Sequence, residues 1–294
     1  MAGETLASAT QHHGNAAAVA LRIPGLRRPL QLRVHGEKDR YVSRRIRAEG
    51  IWEPYETALV LASLQPGDVF VDVGANIGYY PVIATDAVGA SGAVLAFEPD
   101  PANFRLLQEN LAINSCQSVV TAFELGLAER DSTALLYLSA DNAGDHQIFA
   151  ASDGRSTLPV ALRNGSCFLR GRIQRLDVLK VDVQGAEYLV MAGLLPLLGE
   201  LPSLPRIIIE LTPLSLRQAG SSGRALIELL ATLGQPMWII DHIEHQLVAC
   251  DGAELARWCD QVDAVPGDMG FMNILVGPAI PGPGSPPAKE SSHD

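Results

Sequence analysis

Short apolar runs alternate with segments of helical periodicity along most of the chain. The first strong strand pattern is Val69–Val73, a run of β-branched and aromatic residues that ends at a glycine turn. Continuous apolar runs of this length are typical of parallel strands that are covered on both faces. Six further runs complete a predicted seven-stranded sheet: Val94–Glu98, Ser118–Phe123, Val178–Val183, Pro205–Leu211, Pro236–Asp241 and an antiparallel last strand, Phe271–Val276.

Helical patterns separate most of these runs. The order of elements therefore predicts an α/β fold with a doubly wound, mostly parallel, Rossmann-like sheet. Two short strands, Ala134–Leu138 and Leu158–Leu162, are predicted between the third and fourth strands of this sheet. The predicted helices are Trp52–Leu64, Tyr79 to about Ala87, Asn103 to about Leu111, a segment after Glu187, and Arg224–Leu233.

The two ends of the chain differ from this core. Alternating apolar and polar residues in Ala17–Ile23 and Leu30–Val34, around Pro24-Gly25, predict a β-hairpin. Small, polar and proline-rich residues at both ends predict disordered tails. We divide the chain into a tail (1–15), a hairpin and helix that pack on the core (16–65), the core domain (66–277) and a second tail (278–294).

Gly74, Asn76 and Gly78 form the turn between the strand Val69–Val73 and the helix that follows it. A strand, a glycine turn and a helix in this order are typical of the ligand-binding corner of a doubly wound sheet. Asp72 lies at the strand end, where a carboxylate repels a pyrophosphate and attracts an ammonium group. The turn therefore favours a ligand with an amino-acid end and no phosphate, such as S-adenosylmethionine.

A second acid, Glu98, ends the strand Val94–Glu98, about 26 residues after Asp72. An acid at the end of the second strand of such a fold typically accepts hydrogen bonds from ribose hydroxyls. An adenine contact is expected near Glu124 to Leu127, at the end of the third strand. The two acids therefore favour the same ligand.

Charge and cysteine content exclude several other classes. The formal net charge of −11 argues against a nucleic-acid partner and against anionic membrane surfaces. The four cysteines form no C-x-x-C pair, so neither a zinc site nor a disulfide framework is expected. No apolar run is long enough to span a membrane and no secretory signal is present, so we expect a cytoplasmic protein.

Several segments together resemble the FkbM-type family of class I S-adenosylmethionine-dependent methyltransferases. The similarity covers roughly Trp52 to Val276. The matching segments are Pro66–Asp68, Val71–Gly78, Phe97–Pro99, Lys180–Glu187 and Ile209-Glu210. The glycine segment and the Lys180–Glu187 segment in this order are specific, whereas a glycine loop alone is a weak signal.

The resemblance implies an activity and a set of residue roles. Family members mostly methylate hydroxyl groups of sugars, polyketides or other small metabolites, so a small-molecule methyl acceptor is the expected partner. By this resemblance, Asp72, Gly74, Asn76 and Gly78 hold the amino-acid end of S-adenosylmethionine, and Glu98 takes its ribose.

Methylation of a hydroxyl group calls for a base, because a protonated hydroxyl is a poor nucleophile. Lys180 and Asp182 share a face of one strand, and Asp182 lies at the carboxyl end, where open sheets bind ligands. Both are candidate catalytic residues, with Glu187 and Glu210 as nearby candidates for substrate binding. A salt bridge from Lys180 to an acid that orients the turn at Gln184 is an equal alternative.

The segment Ser139–Gln147 is too polar for a core element, and we predict a functional loop. His146 is a second candidate base, because an unperturbed histidine has a pKa of about 6.5. Asn142 and Asp145 are candidate substrate-binding residues. A divalent cation bound by Asp141, Asp145 and His146 is a less favoured alternative, and no metal site is predicted.

Three other functions stay open. One is an N-methyltransferase of the same fold, because an amine acceptor needs less help from a base than a hydroxyl acceptor does. An NAD(P)-dependent oxidoreductase is disfavoured, because the third glycine of the dinucleotide fingerprint is missing. A protein that binds the cofactor without catalysis is disfavoured by the acids after Lys180. The sequence also leaves a homodimer open.

Overall fold

Residues 18–37, 39–149 and 154–280 are described by a computed structural model of the protein. Their strands form three separate sheets. The strands are β1 (Val19–Ala20), β2 (Gln31–Leu32), β3 (Val69–Val73), β4 (Ala93–Phe97), β5 (Val120–Phe123), β6 (Gly126–Ala128), β7 (Ser132–Leu138), β8 (Ser156–Asn164), β9 (Val178–Val181), β10 (Arg206–Leu211), β11 (Met237–Asp241), β12 (Gln246–Cys250) and β13 (Met272–Val276).

The helices of the described residues connect these strands. Several begin with a proline, which has no N–H group that needs a partner, or with a capping side chain, which accepts a hydrogen bond from a free N–H group of the first turn. The helices are α1 (Val42–Glu49), α2 (Pro54–Ser63), α3 (Tyr79–Val88), α4 (Pro101–Ile113), α5 (Gly165–Leu169), α6 (Glu187–Leu198), α7 (Pro213–Gln218), α8 (Gly223–Ala231) and α9 (Gly252–Ala264).

The main sheet has the strand order β12-β11-β13-β10-β9-β3-β4-β5. The strands from β10 to β5 are parallel, whereas β13, β11 and β12 pair antiparallel. All seven predicted core strands lie in this sheet, and β12 adds an eighth at its edge. The strand order reverses between β3 and β9, and ligands of open α/β sheets bind at such a switch point.

Helices cover both faces of the main sheet, and the alternating side chains of β3 show how. Phe70 packs in an apolar layer with residues of α2, α3 and α4, such as Leu59 and Leu107. Val71 packs on the opposite face with residues of α6 and α8, such as Leu194. Because successive side chains point to opposite faces, Asp72 shares the face of Phe70.

The two short strands predicted between the third and fourth core strands form a sheet of their own. Its order is β6-β8-β7, in which β7 and β8 pair antiparallel and contain the predicted segments Ala134–Leu138 and Leu158–Leu162. This sheet leads directly into the polar segment Ser139–Gln147, which is a loop with one bridge between Tyr137 and Gln147.

The N-terminal hairpin is present but short, with two residues in each of β1 and β2. The predicted tail 1–15 lies outside the described residues, as do 281–294. Residues 278–280 had been assigned to the second tail, yet Ile280 is buried and the carbonyl of Pro278 accepts a hydrogen bond from Arg206. Pro278 and Ile280 therefore contact the domain that precedes them.

Six elements have no counterpart in the sequence-based assignment: α1, β6, α5, α7, β12 and α9. For α9 a sequence signal exists, because Asp251 and Glu254 form a capping box at its start. None of the helices of the described residues is long and apolar enough to cross a membrane.

Gly193 lets α6 pack closely on β6, and we predict that this position is sensitive to one added methyl group. A Cβ atom at Gly193 would lie 2.0 Å from the carbonyl oxygen of Ala128. We therefore expect Gly193→Ala to destabilise the protein by about 1–3 kcal/mol in urea denaturation, despite the better helix propensity of alanine.

The matched control is Gly199→Ala at the end of the same helix, where the nearest atom would lie 3.7 Å away. We expect this variant to be neutral or more stable by about 0.4–1 kcal/mol. Equal effects of the two substitutions would contradict the close approach of α6 and β6.

Candidate active site

A cavity of about 590 Å³ opens at the switch point between β3 and β9, beyond the carboxyl ends of the parallel strands. The glycine turn and Glu98 form one side of it, and Asp182, Gln184 and Glu210 form another. The loop that contains His146 lies over the glycine turn and closes a third side. Residues predicted from separate segments thus meet in one space.

The glycine turn is anchored to the end of β4. The N–H groups of Gly74 and Ala75 both donate to the carbonyl of Phe97, and the N–H of Asn76 donates to Glu98 Oε2 at 2.7 Å. Asn76 has a positive φ of 50°, and its side chain accepts a hydrogen bond from the N–H of Ile77. The turn is therefore held in one conformation before any ligand binds.

Gly74 is required by packing between two loops. Its φ is 91°, and a Cβ atom there would lie 1.8 Å from the carbonyl oxygen of Asp182. Gly78 also has a positive φ, but it lies behind the turn against Leu107 and does not line the cavity. Of the two glycines, only Gly74 borders the space in which a ligand would bind.

Glu98 lines the cavity with a carboxyl group that is only 5% exposed. Besides the N–H of Asn76 it accepts the N–H of Asp100 at 2.8 Å. Burial raises the pKa of Glu98 to about 8, although these hydrogen bonds oppose the shift. The carboxyl group joins the glycine turn to the start of α4 and borders the cavity.

Asp72 does not line the cavity, contrary to the position expected for a direct contact with the ligand. The side chain is 1% exposed and lies on the same face of β3 as Phe70. Neither of its carboxylate oxygens has a hydrogen-bond partner. Burial raises the pKa of Asp72 to about 7, partly offset by Lys180. A buried acid without a hydrogen-bond partner favours positive charge near the glycine turn. We therefore expect Asp72 to act on a cationic ligand through its charge and not through direct contact.

Lys180 is a buried cation, and its surroundings argue against a role as base. Its ammonium group lies 3.1 Å from Asp182 Oδ2, 3.7 Å from Glu56 Oε1 and 4.6 Å from the ring centre of Tyr80. Burial alone lowers the pKa of an ammonium group, but the surrounding acids, Asp182 and Glu56 first, hold the pKa of Lys180 above its usual range. The alternative of a salt bridge with an orienting role describes this lysine better than catalysis.

Asp182 borders the cavity with a side chain that is one-third exposed. One of its oxygens accepts from Lys180, and the other accepts from Gln184 Nε2 at 2.8 Å. The same amide donates to Glu210 Oε2 at 3.0 Å, so Gln184 links the ends of β9 and β10. Burial, with Asp182 and Glu187 nearby, raises the pKa of Glu210 well above its usual range.

Glu187 was a candidate for substrate binding, but the structure places it under the turn. It is fully buried, is absent from the cavity wall, and accepts hydrogen bonds from the N–H groups of Val183 and Gly185. An acid in the first turn of a helix can satisfy free N–H groups of the preceding loop. Glu187 therefore shapes the turn between β9 and α6.

The loop 139–147 lies directly over the glycine turn. Asn103 Nδ2 donates to the carbonyl of Ala143, and a Cβ atom at Gly144 would lie 3.4 Å from Asn76 Nδ2. Asn142 and Asp145 both line the cavity as predicted candidates. Their side chains already have partners within the protein: Asn142 Oδ1 accepts from Gly144 N, and Asp145 forms a salt bridge of 2.8 Å with Arg155.

His146 lines the cavity, but its hydrogen bonding argues against the predicted role as base. Its Nδ1 accepts the N–H of Ser139 at 3.0 Å, so in neutral histidine the proton sits on Nε2. Burial lowers the pKa of His146, which favours this neutral form. The imidazole can therefore donate a hydrogen bond, whereas it has no free nitrogen to accept a proton.

A family comparison identifies the chain. The family model described as "Methyltransferase FkbM domain" matches residues 72–236, which is more than half of the chain. The chain belongs to the FkbM methyltransferase family. It is therefore a methyltransferase that uses S-adenosylmethionine, and the oxidoreductase alternative is rejected.

Two relatives and one solved structure show how far the similarity extends. The hexuronic acid methyltransferase AglP of Haloferax volcanii is 27% identical over 201 residues, 66% of this chain and 78% of that protein. The methyltransferase sdnD of Sordaria araneosa is 29% identical over 163 residues, 45% of this chain and 62% of its own length. The crystal structure of methyltransferase FkbM from Methylobacillus flagellatus has a TM-score of 0.43 at 14% identity, covering 74% of this chain and 47% of that one.

The cavity of this FkbM methyltransferase fits its cofactor in chemical terms. S-adenosylmethionine carries positive charge on its sulfonium and amino groups, and the acids of the cavity wall outnumber its single lysine. Glu98 lines the cavity, and carboxyl oxygens are acceptors of the kind that ribose hydroxyls require. Gly126 and Leu127 border the cavity where the adenine contact was predicted. In the described part of the chain, no group of side chains is arranged to hold a metal ion.

Glu53 is a wall residue that was not among the residues predicted from the sequence. Glu53 lines the cavity at the start of α2, whereas Glu56 is buried behind it beside Lys180. The only local signal was an acid directly before Pro54, since nothing in the sequence shows that α2 lies against β9.

We predict that the ligand-free FkbM methyltransferase loses stability as pH rises from 5.5 to 8.5. Burial raises the pKa values of Asp72 and Glu187 to about 7 and that of Glu98 to about 8. Between the unfolded and folded pKa values the native state binds more protons, so the free energy of unfolding falls with rising pH. Urea denaturation should show a total fall of at least about 2 kcal/mol over this range.

The variant Asp72→Asn is the matched comparison for this pH series, because its amide does not titrate. We expect a shallower fall in this variant than in the unmodified protein. A free energy of unfolding that stays constant or increases over the range would show that these acids are not desolvated in the native state.

Proposed function

We propose that this FkbM methyltransferase transfers the methyl group of S-adenosylmethionine to a hydroxyl group of a small metabolite. The observation that carries the proposal is one cavity with two chemically different sides. The glycine turn and Glu98 form a nucleoside-binding side, and the acids Asp182 and Glu210 border the opposite side.

On the cofactor side, the chain's contribution is a preformed corner. Gly74 and Asn76 lie at the cavity, and the hydrogen bond from Asn76 to Glu98 fixes their position. We assign the amino-acid end of the cofactor to this turn and the ribose to Glu98. Asp72 supports the positively charged end of the cofactor from beneath the turn, without touching it. When bound, the cofactor supplies an activated methyl group.

On the acceptor side, the wall combines hydrogen-bonding groups with an apolar rim. Thr212 and Ser215 line the cavity together with Glu210. Tyr41, Met269 and Phe271 also line it, and all three are highly exposed for apolar side chains. Polar groups inside an apolar rim suit a hydroxyl-bearing molecule with a hydrophobic or ring-shaped body, such as a sugar or a polyketide.

Two observations bear on the class of acceptor. The Haloferax volcanii relative is named for hexuronic acid, which supports a sugar-like acceptor for this chain. N-methylation of an amine stays the alternative, because an acid-rich wall also attracts an ammonium group. We favour O-methylation, since several acids surround the acceptor side and a hydroxyl needs one of them as a base.

We predict that Glu98→Gln weakens cofactor binding at least about tenfold, equivalent to about 1.4 kcal/mol. One of the two N–H groups that Glu98 accepts would then face an amide NH₂, and the ribose would lose an acceptor oxygen. Titration calorimetry with S-adenosylmethionine and S-adenosylhomocysteine measures both affinities. Glu228→Gln, an exposed acid on α8, is the control and should bind normally.

Incubation of the enzyme and methyl-labelled S-adenosylmethionine with a host extract tests the activity itself. The proposal expects a labelled small molecule whose fragmentation places the methyl group on oxygen. A label on nitrogen would select the alternative, and failure of the unmodified protein to bind the cofactor at millimolar concentration would reject the proposal.

A further inference from the structure

Glu53 occupies a backbone conformation that an acid rarely adopts. It is the N-cap of α2 with φ 38° and ψ 72°, in the left-handed region that favours glycine. Among the described residues, five non-glycine residues have a positive φ, and three of them, Glu53, Asn76 and Gln184, line the cavity. Strained residues of this kind persist where the fold requires the side chain, and they cluster at functional sites.

The side chain of Glu53 lines the cavity and interacts electrostatically with Asp182, which borders the acceptor side. Its Oε2 accepts a hydrogen bond from the hydroxyl of Tyr80, 3.1 Å away, at the start of the helix after the glycine turn. Tyr80 lies equally close to Glu56, but it has one proton and donates to one acid at a time. Glu53 therefore keeps lone pairs that are free to accept a proton from a ligand.

Each of the other candidate bases already has a hydrogen-bond or ion-pair partner within the protein. Lys180 holds its proton against the surrounding acids. Both oxygens of Asp182 accept hydrogen bonds, from Lys180 and Gln184. His146 presents an N–H at Nε2, because its Nδ1 is bonded to the backbone. Glu210 accepts a hydrogen bond from Gln184, and burial, with Asp182 and Glu187 nearby, raises its pKa well above the usual range, which favours the protonated form.

We propose that Glu53 is the catalytic base that removes the proton of the acceptor hydroxyl, an assignment that rests on the methyltransferase function proposed above. In the balanced step, the acceptor oxygen forms a C–O bond with the methyl carbon as the C–S bond breaks. The electron pair of the broken bond turns the sulfonium into a neutral thioether. The hydroxyl proton passes to the Glu53 carboxylate.

The charges that face Glu53 fit this role. The titratable groups around it are Glu56 on α2, Tyr79 and Tyr80 on α3, Lys180 on β9, Asp182 directly after β9, and Glu210 on β10. Burial, followed by repulsion from Glu56, raises the pKa of Glu53 to about 8. A sulfonium in the cavity lowers this pKa and ionises Glu53 before transfer, and loss of that charge lets Glu53 retain the proton afterwards.

Proton counting tests the assignment without a known acceptor. Titration calorimetry at pH 7.5 in buffers of different ionisation enthalpy gives the protons released when each cofactor form binds. We expect S-adenosylmethionine to release roughly 0.5 proton more per molecule than S-adenosylhomocysteine. Glu53→Gln should lose at least half of this difference while both ligands still bind, and Glu228→Gln should retain all of it.

The outcomes separate the two proposals. Equal proton release for the two ligands, or an unchanged difference in Glu53→Gln, overturns the role of Glu53 and leaves the methyltransferase function intact. Failure of the unmodified protein to bind either ligand overturns both.

Turnover provides a second test once the labelled extract has supplied an acceptor. Glu53→Gln should lower kcat by about 100-fold or more with little change in the KM for S-adenosylmethionine. Glu53→Asp should restore part of kcat, because a carboxylate is again present, whereas a purely structural role would let the isosteric glutamine work as well. A Glu53→Gln enzyme with the normal kcat and pH profile would contradict the proposal.

Discussion

The buried ammonium group of Lys180 holds the centre of this structure together. It is the cation around which Glu56, Asp72 and Asp182 come together from three different elements. A buried charge without a partner costs several kcal/mol, so neither the lysine nor the acids would be stable at this depth alone. Three acids surround one lysine, so the cluster keeps a surplus of negative charge next to the cavity.

A second constraint fixes the ligand side. The carbonyl of Phe97 and the carboxyl group of Glu98 together bind the N–H groups of Gly74, Ala75 and Asn76. The end of one strand thereby sets the shape of the turn that follows its neighbour. The two constraints meet where Gly74 touches the backbone of Asp182. The glycine turn therefore lies directly beside the acids of the Lys180 cluster. This places a site for a cationic cofactor next to negative charge.

Local pattern was sufficient for much of the fold. Apolar runs such as Val69–Val73 located the core strands. Glu98, the acid at the end of the second strand, lines the cavity. The capping box of α9 was also readable from Asp251 and Glu254, although the sequence-based assignment did not use it.

Contacts between distant segments were not predictable in this way. Glu53 and Lys180 lie 127 positions apart, and only the packing of α2 against β9 brings their charges together. The hydrogen bonds that commit Glu187 and His146 to the backbone depend on loop conformations that carry no periodic signal. Residue type therefore identified candidate site residues. Their roles depended on which of their oxygen and nitrogen atoms already accept hydrogen bonds within the protein.

The most direct measurement of the central claim is a crystal structure of the protein with S-adenosylhomocysteine. Our account predicts ribose hydroxyls within hydrogen-bond distance of Glu98, the amino-acid end at Gly74 and Asn76, and open space bordered by Glu53 and Asp182. A nucleoside bound elsewhere, or a ribose that makes no contact with Glu98, would contradict it.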